Sequence, residues 1–472
     1  MPDTPDPAAT AAPRQVDLLV VGGTVITVDE QRRILRDGAI AVDGGRIVAV
    51  GPTAEVTAAH AGRRTIDARG KVVTPGLVDA HVHLSHQLHR SILPDTRPEE
   101  LEHDHWLPYW LNLTEADARL SALLACAEMA LNGTTLFCDM SGRFTGELQA
   151  EAARAVGVRG TVSEICWDVP PHPEVAIGGT QACLDRLASL IERLPFSEDA
   201  TTWAGVTLSG MGKATDDLLV GAIALAREHG LQMHMHQSFA DADTAEFGRR
   251  CDGLPAVAHL ERLGVTGPDL TLVHMIRTDP REVPILAATG TNVVHCPGAS
   301  ARWGLGSSRT GMVPQMLDAG VNLALGCDSA NYSDALDLTQ QMYLAATMHR
   351  EARGGTPHVS AEQALEMATL GGATALGVGH LAGSLAVGRW ADLVIHDGSR
   401  TEWQPGFDPV TTLVYSARSR GIETVVVGGE VVVAEGRLTR LDIDALLRDV
   451  QGAARGLLDR MGYAVEPRWL TV

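Results

Sequence analysis

The sequence predicts an α/β protein: a (β/α)8 TIM-like barrel with a small β-sandwich domain built from both chain ends. Three observations support this fold. Apolar strand-like runs alternate with helix-length segments in the middle of the chain, β-rich stretches lie on either side, and polar residues end the apolar runs. We expect a flexible tail over residues 1–14, the sandwich over 15–74 plus 377–440, the barrel over 75–376, and a helical extension over 441–472.

Eight apolar runs predict the barrel strands. They are GLVDAHVHL, GTTLFCDM, VRGTVSEICWD, TTWAGVTLSG, LQMHMHQS, DLTLVHMI, TNVVHCPG and VNLALGCDS. A helix-length segment follows each run, and strands that are apolar on both faces and joined by helices form parallel sheets. An open, doubly wound sheet is the competing fold, but the Gly-rich phosphate-binding turn often found after its first strand is missing here.

The two chain ends share a pattern that is typical of β-hairpins. DLLVVGG, TVITVD and GAIAVDGGRIVAVG near the start alternate Val and Ile with polar residues, and GSLAVGRWADLVIHDG and IETVVVGGEVVVAEG do so near the end. Gly-Gly and Asp-Gly pairs mark turns between strands. We therefore expect one β domain assembled from both ends.

Composition and charge disfavour nucleic acid and membrane partners and a secreted location. The 472 residues include 58 acidic and 38 basic ones, so the formal net charge of −20 disfavours nucleic acid and anionic membranes. The start of the chain lacks the basic and apolar segments of a signal peptide, and no apolar run reaches the roughly 18 residues of a membrane span. Seven cysteines without CxxC spacing indicate reduced thiols. These features predict a cytoplasmic protein that acts on a small molecule.

Two histidines end the first barrel strand. His81 and His83 are two residues apart, so both imidazoles point to the same side, at the carboxyl end where barrels place their active sites. Such a pair suits zinc or iron. On the fifth strand His234 and His236 share a face, and either could be a third ligand. We favour His236 because it lies nearer the strand end, and we interpret His234 as a buried, hydrogen-bonded core residue.

The last three barrel strands also end in groups that can bind metal or protons. His274 ends strand six in LVHM, His295 ends strand seven in VVHCP, and Asp328 ends strand eight in GCDS. Any one of them could be structural, but their shared position at strand ends predicts a catalytic site.

These motifs resemble the amidohydrolase superfamily, in particular the branch of adenosine-homologue deaminases, guanine deaminases and triazine hydrolases. PGLVDAHVHLSHQLHRSIL, LVHM, VVHCP and LALGCDSAN carry the resemblance, together with GGTVITVD and GRIVAVG at the front and GSLAVGRWADLVI at the back. It therefore covers nearly the whole chain. It implies a homodimer or higher homo-oligomer, since relatives commonly form them.

The resemblance also implies a metal site. One divalent ion, zinc in the first place, with iron, manganese or cobalt as alternatives, would be held by His81, His83, His236 and Asp328. The metal would activate water, and Asp328 would take its proton and pass it to the leaving group. His274 would contact that water, and His295 would lie near the substrate.

The sequence departs from this branch at one catalytic position. Ring deaminases of the branch carry a Glu three residues after the strand-five His, where it protonates a ring nitrogen; here that position is Phe239. The Pro-x-Ser-Asn that often follows the strand-seven His is also altered, to PGAS. We therefore expect cleavage of a C–N bond in an amide, urea or carbamate, with the alternative of deaminating an N-heterocycle such as a purine, pterin or triazine. Gln237, Glu164 or Glu246 could stand in for the missing acid.

Further residues are predicted to line the pocket. Substrate contacts are expected from His295, Trp106, Gln237, Phe239 and Asn331. The loops after the strands, which usually shape the pocket of a barrel enzyme, also contain His86, His89, Tyr109, Trp110 and Trp303.

Two other candidates are interpreted as non-catalytic. Lys213 follows strand four, where binuclear relatives carry a metal-bridging lysine, but it lies past the strand end and we do not expect it to bridge. His103 and His105 form a second HxH in a charged loop, which favours solvated surface. A non-catalytic assembly protein on this fold is the competing class, and the presence of all four expected ligands disfavours it.

Overall fold

The computed structural model describes residues 12–94, 101–140, 142–240, 250–355, 358–465 and 469. Most of the predicted tail and the last residues of the predicted extension therefore lie outside the described residues. The strands are β1 (Arg14–Ile26), β2 (Ile34–Asp43), β3 (Arg46–Pro52), β4 (His60–Asp67), β5 (Val72–Pro75), β6 (Leu77–His83), β7 (Thr134–Asp139), β8 (Arg159–Val162), β9 (Thr202–Ala204), β10 (Val206–Leu208), β11 (Met233–Gln237), β12 (Leu270–His274), β13 (Asn292–His295), β14 (Leu323–Leu325), β15 (Asp328–Ser329), β16 (Leu393–His396), β17 (Ile422–Val427), β18 (Glu430–Ala434) and β19 (Arg437–Leu438).

The helices lie mostly between the barrel strands. They are α1 (Thr53–Ala59), α2 (Leu107–Asn112), α3 (Glu115–Leu131), α4 (Gly146–Val156), α5 (Thr180–Arg193), α6 (Asp216–His229), α7 (Ala256–Arg262), α8 (Glu282–Thr289), α9 (Pro297–Arg302), α10 (Ser307–Thr310), α11 (Val313–Asp318), α12 (Leu338–Arg353), α13 (Ala361–Met367), α14 (Leu370–Ala375), α15 (Pro409–Thr412) and α16 (Ile443–Met461). No described helix is long and apolar enough to cross a membrane.

Local sequence signals explain where several helices begin and end. Thr114 accepts a hydrogen bond from the Asp117 amide, and the Asp117 side chain accepts one from the Thr114 amide, which forms a capping box at the start of α3. Gly230 ends α6 in the left-handed conformation that glycine adopts without steric cost. The C-terminal α16 packs on α3, where Arg460 forms an ion pair with Asp117.

Both chain ends contribute to one β domain, as predicted. Its nine strands form a single sheet in the order β19-β18-β17-β16-β5-β1-β2-β3, with β4 paired to β1. The sheet halves enclose a common hydrophobic cluster that includes Ile40 and Ile47 from the front and Leu393 and Ile395 from the back, all fully buried. The two layers expected of a sandwich are therefore parts of one continuous sheet.

The middle of the chain forms the predicted α/β barrel. Two five-stranded parallel sheets, β15-β6-β7-β8-β9 and β10-β11-β12-β13-β14, supply its wall. They are joined through two interrupted strands, because β9 and β10 are separated only by Gly205, and β14 and β15 only by residues 326–327. Counting each interrupted strand once leaves eight wall positions, which matches the eight apolar runs.

A buried ion pair connects the barrel to the nine-stranded sheet. Arg159 begins β8, and its Nε donates to Asp392 Oδ2 at 3.2 Å, with both side chains less than one-tenth exposed. The guanidinium also lies 4.3 Å from the ring centroid of Trp390. Pro75 ends β5 in the sheet and Leu77 begins β6 in the barrel, so we retain the proposed domain boundary near residue 75.

Candidate active site and metal centre

Five of the predicted site residues meet at the carboxyl ends of the barrel strands. His81 and His83 end β6, His236 lies in β11, His274 ends β12, and Asp328 begins β15. Their ligand atoms fall into two overlapping groups, His81 with His236 and His274, and His81 with His83 and Asp328, within each of which all atoms lie no more than 4.8 Å apart. The structure therefore brings together residues that are up to 247 positions apart in the chain.

The spacing of these atoms suits a shared metal ion. His81 Nε2 and His83 Nε2 lie 3.5 and 3.6 Å from Asp328 Oδ1. Two atoms that each lie about 2.1 Å from a tetrahedral ion are about 3.4 Å apart. His274 Nε2 lies slightly farther away, 4.0 Å from Asp328 Oδ2. His274 also belongs to one of the two groups of clustered ligand atoms, so its place beside the ion rather than on it stays a prediction.

The tautomer of His81 also favours metal binding. Its Nδ1 lies 3.0 Å from the Met140 sulfur, and a thioether only accepts hydrogen bonds, so Nδ1 carries the proton. The other nitrogen, Nε2, is buried and has no hydrogen-bond partner among the described residues. A free lone pair is thereby held toward Asp328, as a metal ligand requires. Sequence reasoning missed Met140, because a methionine after an apolar strand gives no signal of such a role.

Burial favours the neutral form of the three histidines predicted to bind the metal. Burial, reinforced by His83 and His234, keeps the pKa of His81 well below its usual value. Burial likewise lowers the pKa of His83, partly offset by Asp328, and holds the pKa of His236 well below the usual range. Neutral imidazoles bind metal without first losing a proton. The donor set of three imidazoles and one carboxylate therefore fits a divalent ion such as zinc.

His234 is buried, as expected of a core residue, but the hydrogen bond expected of it is not found among the described residues. It is 2% exposed, and neither ring nitrogen has a hydrogen-bond partner within the described part of the chain. It belongs to neither group of clustered ligand atoms. The preference for His236 as the strand-five ligand therefore agrees with the geometry.

An unusual backbone turn brings His274 to the site. The register pairs Gln237 with His274 and His236 with Val273, so regular alternation would direct His274 away from the face of His236. Instead His274 has a φ of 83°, in the left-handed region. Its ring stacks on that of His236 with centroids 5.3 Å apart. Strained conformations of this kind concentrate at functional sites.

A glycine makes room where the last barrel strand passes the ligands. A Cβ on Gly326 would lie 2.8 Å from His81 Cβ and 3.0 Å from the His81 carbonyl oxygen, too close for a side chain. The backbone can therefore pass beside His81 and deliver Asp328 two residues later.

His295 lies near the cluster but is already paired. Its Nε2 is 3.4 Å from Nε2 of His349 on α12. Burial, with His349 and His274 nearby, keeps the pKa of His295 well below its usual value. The sequence offered no signal for His349, since a single histidine within a helix is common.

Phe239 belongs to an apolar cluster beside the site. The phenyl ring lies 4.7 Å from the ring of His274 and 6.2 Å from that of Tyr332, centroid to centroid. The apolar cluster is made of Leu93, Leu101, Ile276, Trp303 and Leu305, with Phe239 and Tyr332 packed against them. The position where ring deaminases of this branch carry an acid is thus occupied by an apolar side chain with apolar neighbours. Trp303 also donates from Nε1 to the Tyr332 carbonyl at 3.0 Å.

Trp106 belongs to a cluster of three tryptophan rings. Its ring lies 5.1 Å from that of Trp110 and 6.1 Å from that of Trp167, between centroids. The Lys213 ammonium lies 5.5 Å from the Trp106 centroid. Trp167 follows strand β8, and its approach to this loop was not foreseen from the sequence.

A row of side chains extends from the metal cluster through the loop after β6. His86 stacks on His83 with centroids 5.0 Å apart, and His89 stacks on Tyr109 at 4.6 Å. Asn331 is buried between Ser329, whose hydroxyl donates to its Oδ1 at 2.6 Å, and His89, whose Nδ1 lies 3.1 Å from its Nδ2. Asn331 therefore positions this loop as well as lying near the predicted pocket.

Of the residues that could stand in for the missing acid, the two that the structure describes, Glu164 and Gln237, do not contribute a free acid near the cluster. Glu164 accepts hydrogen bonds from Arg193 at 2.6 Å and forms an ion pair with Arg186 at 2.9 Å. Gln237 is buried, with its Nε2 donating to Ser238 Oγ at 3.2 Å. Glu246 lies outside the described residues.

The second HxH is only partly described. The side chain of His103 lies outside the described part of the structure. His105 is half-buried, and its ring lies 5.4 Å from that of Tyr463, so it is less solvated than the sequence suggested.

Comparisons with known proteins agree on one family. Residues 72–432 match the model of the amidohydrolase family, and residues 38–62 match an imidazolonepropionase-like composite domain of bacteria. A 5-methylthioadenosine/S-adenosylhomocysteine deaminase from Syntrophobacter fumaroxidans is 37% identical over 442 residues, which cover 93% of this chain and 98% of the relative.

Two solved structures share the fold across nearly their full length. An adenosine deaminase from Xanthomonas campestris with bound zinc is 28% identical, with a TM-score of 0.88, and the match covers 96% of this chain and 100% of that one. An atrazine chlorohydrolase from Arthrobacter aurescens complexed with zinc is 25% identical, with a TM-score of 0.83, and the match covers 93% and 100%.

Proposed function

The chain belongs to the amidohydrolase family, and we propose that it is an aminohydrolase that releases ammonia from the 6-amino group of an adenine nucleoside. The family predicted from the strand-end motifs is confirmed, and the protein is a hydrolase acting on C–N bonds. The observation that carries the proposal is the cluster of His81, His83, His236, His274 and Asp328 at the barrel mouth. Similarity to deaminases of adenine nucleosides along most of the chain supports the substrate class.

We propose that one divalent ion, zinc in the first place, is held by His81, His83, His236 and Asp328. The family is metal-dependent, and both solved relatives contain zinc. When bound, such an ion lowers the pKa of a coordinated water toward about 7 and so supplies hydroxide at neutral pH.

The side chains around this centre have distinct tasks in the proposed reaction. Water oxygen forms a bond to C6 of the purine, and Asp328, whose carboxylate lies among the ligand nitrogens, accepts the water proton. As that bond forms, the electron pair of the C6–N1 double bond moves to N1, and it re-forms the double bond when the amino group leaves. His274, 4.0 Å from the Asp328 carboxylate, donates a hydrogen bond to the attacking oxygen. Asp328 then returns the proton to the amino group, the C6–N6 bond breaks, and ammonia leaves.

The amide, urea or carbamate substrate expected from Phe239 is less well supported than its alternative. The relatives reported above include deaminases of adenine nucleosides, so the comparisons favour ring deamination. Phe239 still cannot donate a proton to a ring nitrogen, and a different group must interact with the heterocycle in this protein.

A substrate panel tests the proposal directly. Metal-loaded enzyme is assayed for ammonia release from adenosine, 5′-deoxyadenosine, 5′-methylthioadenosine, S-adenosylhomocysteine, guanine, a triazine amine, an aryl urea and a carbamate. We expect turnover of at least one adenine nucleoside and none of the urea or carbamate. Asp328→Asn is the control, because it removes the proposed base while keeping the side-chain shape. Turnover of only the urea or carbamate would overturn the proposal.

We also propose that the protein is a homo-oligomer in the cytoplasm. All seven cysteines are buried and free, which suits a reducing compartment. Light scattering coupled to gel filtration measures the assembly, and a monomer at micromolar concentration would contradict it.

A further inference from the structure

His86 lies in the loop that follows β6, against the metal cluster. It lies in the helical turn Leu84–His89 at the carboxyl end of the barrel and is 5% exposed. Its ring is nearly parallel to that of the ligand His83, with an interplanar angle of 18°, and edge-on to Tyr109 at 5.8 Å. His86 is thus the next ring beyond the metal ligands.

Neither nitrogen of this imidazole has a hydrogen-bond partner among the described residues. Two neighbouring polar groups have partners of their own, since Tyr109 donates from its hydroxyl to the Ser85 carbonyl and His89 Nδ1 pairs with Asn331 at 3.1 Å, whereas His89 Nε2 is also unpaired among the described residues. His86 also belongs to neither group of clustered ligand atoms. Buried polar groups are nearly always hydrogen-bonded. His234 is equally unpaired but lies outside the cluster, whereas His86 stacks on His83, which lies within it, so the missing partner of His86 is expected at the metal cluster.

The side chains around His274 indicate which kind of partner His86 would bind. Phe239 and the apolar cluster offer no hydrogen bond to a heterocycle near His274. A purine carries ring nitrogens that need polar partners when they leave water. A neutral imidazole has one donor and one acceptor, and it can therefore form a hydrogen bond with a ring nitrogen whether or not that nitrogen carries a proton.

We propose that His86 is a substrate-binding residue that forms a hydrogen bond with a ring nitrogen of the purine. This inference rests on the proposed function, and it assigns to the β6 loop the heterocycle contact that Phe239 cannot make. The contact orients the ring over the metal centre, and at N1 it would also draw electron density from the adjacent C6 and so favour attack of water there. No proton transfer by His86 is required.

A protein–ligand double-mutant cycle tests the contact. Zinc-loaded wild-type protein, His86→Phe and His86→Gln are titrated calorimetrically with inosine and its 1-deaza, 3-deaza and 7-deaza analogues, which are not turned over. Phe keeps a flat ring without hydrogen bonds, whereas Gln retains a donor and an acceptor. His234→Phe is the matched control, because His234 is also buried and unpaired but lies outside the ligand cluster.

We expect His86→Phe to weaken inosine binding about tenfold, the typical effect of losing one buried hydrogen bond. His86→Gln should stay within about threefold of the wild type. For one deaza analogue the wild type and His86→Phe should bind equally, since the nitrogen that His86 contacts is gone. His234→Phe should shift all four affinities by the same factor.

Two results would overturn the contact. Equal loss for all four ligands in His86→Phe, or no loss at all, shows that His86 does not touch a ring nitrogen. Circular dichroism and zinc content are measured on each variant, and His86→Leu replaces His86→Phe if the latter does not fold. Failure of the wild-type protein both to bind inosine and to deaminate any adenine nucleoside would instead refute the proposed function, and this inference with it.

Discussion

Removing the metal should lower the thermal stability of the protein markedly. The proposed ligands come from both sheets of the barrel wall, since His81, His83 and Asp328 belong to the sheet of β6 and His236 belongs to the sheet of β11. A bound ion therefore ties the two sheets together. Without it, buried ligand atoms such as His81 Nε2 face one another with no hydrogen-bond partner among the described residues.

The size of the effect follows from mass action and burial. An ion present at about 1,000 times its dissociation constant stabilises the folded state by about 4 kcal/mol. Leaving two or three buried polar atoms unpaired costs a similar amount, at about 1–3 kcal/mol each. For a barrel of this size, about 4 kcal/mol corresponds to a fall in Tm of roughly 8 °C, at about 2 °C per kcal/mol.

Differential scanning calorimetry measures this shift on one preparation. Protein is scanned as loaded with zinc, after exhaustive chelation, and after zinc is returned, with metal content determined each time. Zinc should restore the original Tm in the wild type but shift Asp328→Asn much less. An unchanged Tm after complete removal of the metal would refute the inference that the ion joins the two sheets.

Three further perturbations have defined outcomes. Asp328→Asn should reduce kcat at least 100-fold, in the range of about 10²–10⁴ for loss of a general base, and an unchanged kcat at full zinc occupancy would contradict the assigned role. Burial raises the pKa of Asp139 from its usual 3.8 to about 7, so the folded state holds this proton more tightly and stability falls as pH rises between those values. Urea unfolding measures the free energy of unfolding of Asp139→Asn and of the wild type at pH 5 and pH 8. The variant should be more stable relative to the wild type at pH 8 than at pH 5, by up to a few kcal/mol at about 1.4 kcal/mol per pH unit. The same difference between the two proteins at both pH values would refute this. Arg159→Met leaves the buried Asp392 carboxylate without its ion-pair partner and should lower the free energy of unfolding by about 3–5 kcal/mol in the same assay. Arg14→Met, at the exposed pair with Asp43, should lower it by about 1 kcal/mol or less. Equal losses would show that burial is not the cause.

The barrel could be predicted from the sequence because its signals are local. Each buried strand is a short apolar run, and each run is followed by a helix-length segment, so the alternation needs no tertiary information. The interruption of two barrel strands was not predictable in this way. Gly326 is required because His81 approaches from a strand 245 residues earlier, and only the folded chain shows that contact.

The sequence likewise predicted part of the candidate site. Period-two alternation suffices to place His81 and His83 on one side of a strand. The same rule would direct His274 away from His236, and the left-handed backbone at His274 reverses that outcome. Met140, Trp167 and His349 carried no local signal, because their roles arise from neighbours distant in sequence.

The sequence by itself determined the fold class, the family and the residues that gather around the metal centre, since these depend on hydrophobic periodicity and on short motifs at strand ends. Tertiary structure alone decided which groups near that centre lack partners and which are engaged. Glu164 is held by two arginines, Phe239 lies in an apolar cluster, and His86 is buried with both nitrogens unpaired among the described residues. The physical reason is that hydrogen bonding and burial are properties of assembled surfaces, which a linear pattern of residues does not contain.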